Sequence, residues 1–271
     1  IKDYHTTFYF IFPIVGLALT YLLLKYVIKA RPSQGIPATL YAISKRKGIM
    51  KKFQMYGSLI VAPITVGFGG SVGLEGPTVA TGAALSSNLS RVLNLNQATR
   101  TLLIGCAAAG AMSSIFKAPI AAIIFAVEVF SLDLTLISLI PLLLASVSAI
   151  ITSYFFFGND ILLPFSIEDK FVLKDIPLYL LLGLIAGMVS IYFTFIYEWF
   201  QKLFEKWGSP LKRLVIGGLG IGALVYFIPP LYGEGYDVIN NLVQGNPEVA
   251  LQNNIFNLDV SNVWVVIALL L

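Results

Sequence analysis

The sequence predicts an all-α polytopic membrane protein, and three observations carry that prediction. Hydrophobic residues fill 57% of the 271 positions and charged residues 12%, about half the ~25% found in soluble domains; the mean hydropathy is +0.84. Four apolar runs, at 5–28, 134–157, 176–200 and 211–230, reach the roughly 20 residues a helix needs to cross about 30 Å of hydrocarbon. Lys and Arg gather in a few short segments beside such runs, the pattern that fixes membrane topology. Lipid offers no partner to backbone N–H and C=O groups, so runs of this length and composition must be helical.

The first span, 5–28, leads into a basic segment with Lys25, Lys29, Arg31, Lys45, Arg46, Lys47, Lys51 and Lys52. Apolar stretches at 53–66, 78–93, 100–116 and 118–130 come next. They are too short to cross upright and are expected to form broken, half-way or tilted helices. The helix 78–93 should carry Pro77 at its first position, where a missing N–H leaves nothing unpaired. Arg91 and Arg100 mark a second basic segment. The span 134–157 opens onto a loop, 158–175, where Asp160, Glu168, Asp169 and Asp175 outnumber Lys170 and Lys174. Past the span 176–200, Lys202, Lys206, Lys212 and Arg213 form a third basic segment. The span 211–230 then gives way to 231–259, which holds Glu234, Asp237, Glu248 and Asp259 and neither Lys nor Arg.

Short Lys/Arg-rich loops stay in the cytoplasm. The segments 25–52, 91–100 and 202–213 are therefore expected inside, and 158–175 and 231–259 outside, an integral membrane protein of the bacterial plasma (inner) membrane type. The net charge of +4 then describes a basic cytoplasmic face and calls for no nucleic-acid partner. The sequence starts at Ile1 with neither an initiator Met nor a signal-peptide pattern, and it stops inside the apolar run 260–271. It reads as an internal fragment, a single transmembrane domain over 1–271 that is incomplete at both ends.

The chemistry concentrates in Gly67-Phe68-Gly69-Gly70-Ser71-Val72-Gly73-Leu74-Glu75-Gly76-Pro77. Gly67, Gly69 and Gly70 suit close packing of helices, as small residues do in membranes. Glu75 is different, because a carboxylate between two apolar segments is costly and points to function. The helix that follows presents unpaired N–H groups and the positive end of its dipole to this loop, an arrangement that attracts anions. Ionised Glu75 is itself an anion tethered beside that place, and a free anion could replace it when it swings away or takes a proton. A phosphate-binding loop would need Gly-Lys-Ser/Thr, and a dinucleotide site would need a soluble strand–turn–helix unit; neither occurs. Cys106 is the single cysteine, so an intrachain disulfide is excluded, and His5 has no second His or Cys with which to hold a metal. No cofactor and no enzymatic step are expected.

The run Gly73-Leu74-Glu75-Gly76-Pro77-Thr78 is followed by Gly82-Ala83-Ala84-Leu85, Ala107-Ala108-Ala109-Gly110, Phe116-Lys117-Ala118-Pro119-Ile120-Ala121 and Phe125-Ala126-Val127-Glu128. In this order and spacing the chain resembles the CLC family of chloride channels and proton-coupled chloride transporters, and Ser33-Gln34-Gly35-Ile36-Pro37 upstream is similar to that family's Gly-Ser-Gly-Ile-Pro segment. The resemblance covers residues 5–271. It implies tilted and broken helices in inverted-topology halves, a homodimer with one pore per subunit, and chloride or a similar small anion as the partner within the lipid bilayer. The family's first amphipathic helix and first span, its later Gly-x-Phe-x-Pro segment and its late tyrosine are not in this sequence, so one wall of the anion pathway is expected to lie outside it.

Residue by residue, the resemblance makes Glu75 the external gating glutamate. Gly73, Leu74, Gly76 and Pro77 would surround it, while Ser33, Gln34, Gly35 and Ile36 would form the facing anion site. The family usually has Arg or Lys at Leu74, so a positive charge near the outer entrance is missing. Its central pore serine falls on Gln34; a Gln amide can donate to an anion as a hydroxyl does but is bulkier, and Ser33 is a substitute donor. Proton-coupled members carry a second glutamate where this chain has Val129, a residue typical of channel-type members. Glu128 matches a glutamate that many members share, and Lys117 is the lone cation of 101–132; on one continuous helix their 11-residue separation is roughly 16 Å, too far for a pair. The reading is a gated anion channel. A proton/chloride antiporter with a substitute inner route and a non-conducting membrane scaffold or sensor are the alternatives.

Overall fold

A computed structural model describes residues 7–29, 35–133, 135–158, 162, 172–244 and 246. Among them there is no strand. Ten α-helices follow in order: α1 Thr7–Leu22, continued by a π-helical turn Leu23–Ile28; α2 Ile36–Arg46; α3 Gly57–Gly67; α4 Glu75–Val92; α5 Gln97–Phe116; α6 Pro119–Phe130; α7 Leu136–Phe157; α8 Ile176–Lys206; α9 Pro210–Phe227; and α10 Tyr236–Val243. Short 3₁₀ turns precede α3, α8 and α10. Among the described residues, five stretches are long and apolar enough to cross a bilayer: Phe8–Ile28, Gln97–Phe116, Leu136–Phe157, Leu173–Lys206 and Pro210–Phe227. At 11 and 12 residues, α3 and α6 extend only about 17–18 Å, too short to cross upright, as expected for the stretches 53–66 and 118–130; α2, also 11 residues, is equally short.

Two sequence boundaries move. The stretch expected at 100–116, too short to cross, begins instead at Gln97 and spans 20 residues. The Asn96 side chain accepts the N–H of Thr99 at 2.8 Å, and such a cap lets polar residues join the helix ahead of the apolar run. The helix expected to carry Pro77 at its first position starts at Glu75. Pro77 occupies its third position, which is equally free of an intrahelical N–H bond. Between α5 and α6, Lys117 takes a left-handed conformation with φ 53°, and Pro119 opens α6.

Small residues make the core. Ala80, Ala83, Ala84, Ala108 and Ala109 are fully buried, Ala83 and Ala84 of α4 in one cluster with Ile104 of α5 and Ala42 of α2, Ala108 and Ala109 of α5 in another with Leu142 of α7. A Cβ at Gly82 would stand 3.3 Å from the Ala107 carbonyl oxygen, and one at Gly110 3.4 Å from Ala149 Cβ; hence the close approach of these helices. Hydroxyls link the layers, with Ser113 Oγ donating to Ser146 O at 2.8 Å and Ser153 Oγ to Ser114 O at 2.9 Å. Such bonds find no competing water in a bilayer. On the other side α1 packs antiparallel to α9, Ile14 against Gly218 and Phe10 against Gly222. By contrast α8 buries none of its residues.

Arg100 ties one end of the assembly together. It donates to Lys47 O at 3.0 Å, Leu95 O at 3.0 Å and Ser90 Oγ at 3.1 Å, while Ser87 Oγ donates to Gly48 O at 2.6 Å and accepts from Met50 N at 3.0 Å. The basic segments around 47 and 91–100 thus meet at the C-terminal end of α4, opposite Glu75. Replacing Arg100 by Ala removes three bonds from a charged donor, each worth about 1.5–3 kcal/mol before relaxation and water access reduce it. A net loss of about 2 kcal/mol is expected in denaturant unfolding of the detergent-solubilised protein, and a change under about 0.5 kcal/mol would contradict this account.

Candidate anion site

The glycine loop begins where α3 stops. Gly69, at φ +91°, donates to Val66 O at 2.9 Å, and Gly70 donates to Thr65 O at 2.8 Å, satisfying the last carbonyls of α3 as a left-handed terminus does. The helix-on-helix packing expected of the loop glycines is not what they do: a Cβ at Gly69 would reach within 2.6 Å of the Tyr232 ring, outside any α-helix, and one at Gly70 would press on Thr65 of the preceding α3 at 2.7 Å. Around Gly67 there is open space. The chain then turns into α4 at Leu74, whose carbonyl accepts the Thr78 N–H at 3.0 Å and the Thr78 hydroxyl at 2.7 Å.

Two helix starts converge here. Gly35, the residue before α2, has φ +64°, and a Cβ on it would lie 3.6 Å from the backbone C and O of Gly76. Only a glycine at this conformation lets the two backbones come so near. The first turns of α2 and α4 thereby face one space with their positive dipole ends. Half-buried Glu75 turns its carboxylate back over Gly73, where Oε2 would collide with any Cβ. Of the expected anion-binding residues, Gly35, Ile36, Gly73, Leu74, Gly76 and Pro77 belong to these two helix starts; Ser33 and Gln34 lie outside the described residues.

A third segment, unforeseen in the sequence, covers the loop. After Pro229-Pro230 the chain folds back so that the Tyr232 hydroxyl donates to Gly67 O at 2.8 Å, and its ring meets Tyr9 of α1 edge-on at 5.5 Å. Glu234 Oε1 accepts the Leu74 N–H at 2.7 Å, and the Tyr236 hydroxyl donates to Glu75 Oε1. The signal was present: Gly233-Glu234-Gly235 between two tyrosines repeats the pattern of a carboxylate set in glycines that singled out Glu75. Burial, and beyond it the charge of Glu75, pushes the Glu234 carboxyl above its ordinary value, against the opposing pull of the Leu74 N–H. Burial and the hydrogen bond to Glu75 push the Tyr236 phenol well up, so it stays a donor. Beside Tyr236 a cavity of about 1140 Å³ runs between α4, α5 and α7, with Thr78 and Lys117 on its walls.

The remaining candidates lie elsewhere. Lys117 Nζ donates to Gly158 O at 2.6 Å and sits 4.5 Å from the centre of the Tyr154 ring; it does not pair with exposed Glu128, and the sole ion pair among the described residues is Lys202–Glu198. Val129 packs against the core of α4, α5 and α6. Among the described residues no group of His, Cys, Asp and Glu could hold a metal.

The sequence pattern of the voltage-gated chloride channel family matches residues 15–271. The chain belongs to this family. A ClcB-like protein of Ralstonia nicotianae is 32% identical, with 85% of this chain and 55% of the relative aligned. An H(+)/Cl(−) exchange transporter ClcA of Vibrio cholerae is 31% identical over 66% of this chain and 40% of its own length. The fold matches that of a CLC-type fluoride/proton antiporter with a TM-score of 0.69 at 28% identity, covering 87% of this chain and 60% of that one. The chain spans about half the length of the curated relatives it matches. Family membership accounts for the all-helical architecture and for a place in the membrane; the relatives include both a named channel, the voltage-gated ClC-type chloride channel ClcB of Citrobacter koseri, and a named exchanger.

Proposed function

We propose that the full-length protein moves chloride or a similar small anion across the membrane, as a gated channel with Glu75 as its gate. One observation carries this reading: the starts of α2 and α4 meet at Gly35 and Gly76, with the Glu75 carboxylate in front of them. The anion would sit among the backbone groups of Gly35, Ile36, Gly73, Leu74, Gly76 and Pro77, at helix ends aimed toward the middle of the bilayer as in other transporters. Ser33 and Gln34 would complete that place from the α2 side. No covalent chemistry is involved. Val129 supports a channel, since its side chain packs into the core and cannot relay a proton; the likeness to a fluoride/proton antiporter supports the exchanger as a second reading. Chloride efflux from liposomes holding the full-length protein tests the proposal. Its absence in correctly folded protein would leave the scaffold or sensor reading.

The domain is proposed to sit in the plasma membrane with 25–52, 91–100 and 202–213 cytoplasmic. A Ser44→Cys variant should resist an impermeant thiol reagent applied from outside, Cys106 being buried; labelling from outside would reverse the topology. A homodimer is also proposed, formed partly through 118–157, where Ile120, Ile124, Ile137 and Phe155 are 59–82% exposed on apolar helices with few polar side chains to face water. The full-length protein should elute as a dimer across detergents, and a monodisperse monomer would speak against it.

A further inference from the structure

The Leu74 N–H is the first donor at the opening of α4, and a carboxylate 160 residues away in sequence occupies it. The intervening backbone is shaped for that delivery. Gly233 and Gly235 both take φ +75°, a conformation that other residues adopt only with strain. Gly233 is buried and donates to Gly69 O at 3.4 Å, and Tyr232 is fastened to Gly67 and against Tyr9. Tyr236, next after Gly235, bonds the other carboxylate, Glu75.

The groups around Glu234 are Glu75 on α4, Tyr236 and exposed Asp237 on α10, Tyr232 before them, and Tyr9 on α1 behind Tyr232. Among the described residues no Lys or Arg pairs with Glu234 or with Glu75. Among the described residues, then, two acids share a helix start without a base between them, and no ion pair there holds Glu234.

We infer that Glu234 is a second competing carboxylate: as a tethered anion on the Leu74 N–H it must be displaced, together with Glu75, before a diffusing anion can reach the start of α4. Ionised Glu234 opposes that anion both by holding the donor and by repulsion. Neutral Glu234 opposes it only as a weak hydrogen-bond acceptor. This rests on the reading that the N–H groups opening α4 receive the anion, and it adds a residue and a segment which that reading does not use.

The test is calorimetric titration of chloride into the detergent-solubilised full-length protein at pH 7.5 and 4.5, for wild type, Glu234→Gln, Glu234→Ala and Glu75→Gln. At pH 7.5 Glu234→Gln should tighten chloride by about fivefold or more, the effect of removing one unit charge ~4 Å away even in water-like surroundings. At pH 4.5 the gain should be smaller than at pH 7.5, because burial and the charge of Glu75 hold the wild-type carboxyl above its ordinary value and so favour its neutral form as the pH falls. Glu234→Ala should tighten chloride at least as much at pH 7.5, and it carries the test if the Gln variant does not accumulate as folded protein. Wild-type affinity at pH 7.5 in both Glu234 variants, with Glu75→Gln tightening chloride, overturns the role of Glu234 and leaves the gating reading intact. Tightening in the Glu234 variants alone removes the gating role of Glu75 and keeps the inference. Silence in all three places the anion elsewhere and overturns both.

Discussion

Replacing Glu75 by Gln or Ala should raise chloride flux at pH 7.5 by about tenfold, the equivalent of one pKa unit of competing interaction, and should weaken the pH dependence, leaving the share that Glu234 contributes. The carboxylate lies over Gly73, just ahead of α4, and accepts the Tyr236 hydroxyl; on the proposed reading it is, when ionised, itself the anion at that helix end. Glutamine keeps its shape and removes the charge; alanine also vacates the volume, so anion affinity should rise most in that variant. Wild-type flux should be higher at pH 4.5 than at pH 7.5, since Glu234 at this helix start, its carboxyl held above the ordinary value by burial and by Glu75, no longer imitates an anion once protonated. The fold should survive both substitutions, because among the described residues Glu75 belongs to no ion pair and its hydrogen-bonded neighbour Tyr236 sits on a half-buried helix end where water can replace the lost acceptor. Electrode-detected chloride efflux from proteoliposomes at the two pH values measures the effect. Flux and pH response unchanged in both variants would make Glu75 a structural carboxylate.

Chloride flux through the full-length protein should run without proton movement. A proton crossing the inner half of the domain needs a titratable side chain or a water file. Val129 stands where proton-coupled relatives are expected to have a glutamate, and it is packed against α4, α5 and α6 with no polar atom to offer. Glu128, next to it, is exposed and has no bonded neighbour among the described residues, and Lys117 is engaged by Gly158 O and the Tyr154 ring. An outward chloride gradient imposed on liposomes should therefore drive no uphill proton movement. Proton uptake at a fixed ratio to chloride would assign the protein to the exchangers. Val129→Glu is expected to lower stability by about 2 kcal/mol or more, since burying a carboxylate among apolar side chains without a partner is expensive.

Much of this protein is legible in its sequence because membrane immersion leaves the chain few choices. Residues 136–157 and 210–227 must be helical, since their apolar side chains exclude water from their backbone, and the glycines around Glu75 announce a non-helical interruption on composition alone. Where local chemistry competes, legibility falls. Asn96 recruits Gln97, Ala98 and Thr99 into α5 through a single cap, and α4 claims Glu75 and Gly76 ahead of Pro77, because helix ends are settled by one or two hydrogen bonds that hydropathy does not register.

The sequence by itself determined the class of the chain, the order of its spans, the clustering of its basic segments and Glu75 as the residue to explain. These follow from hydropathy and charge, which act residue by residue. Only the tertiary structure decided what stands around Glu75: the meeting of Gly35 with Gly76, and the return of 229–236 to set Glu234 on the Leu74 N–H and Tyr236 on the Glu75 carboxylate. Such contacts join residues 41 to 161 positions apart (Gly35 to Gly76; Tyr236 to Glu75). Their energy depends on where whole helices pack, through pairs such as Ile14 with Gly218 and Ala145 with Gly110, and no local pattern encodes that distance.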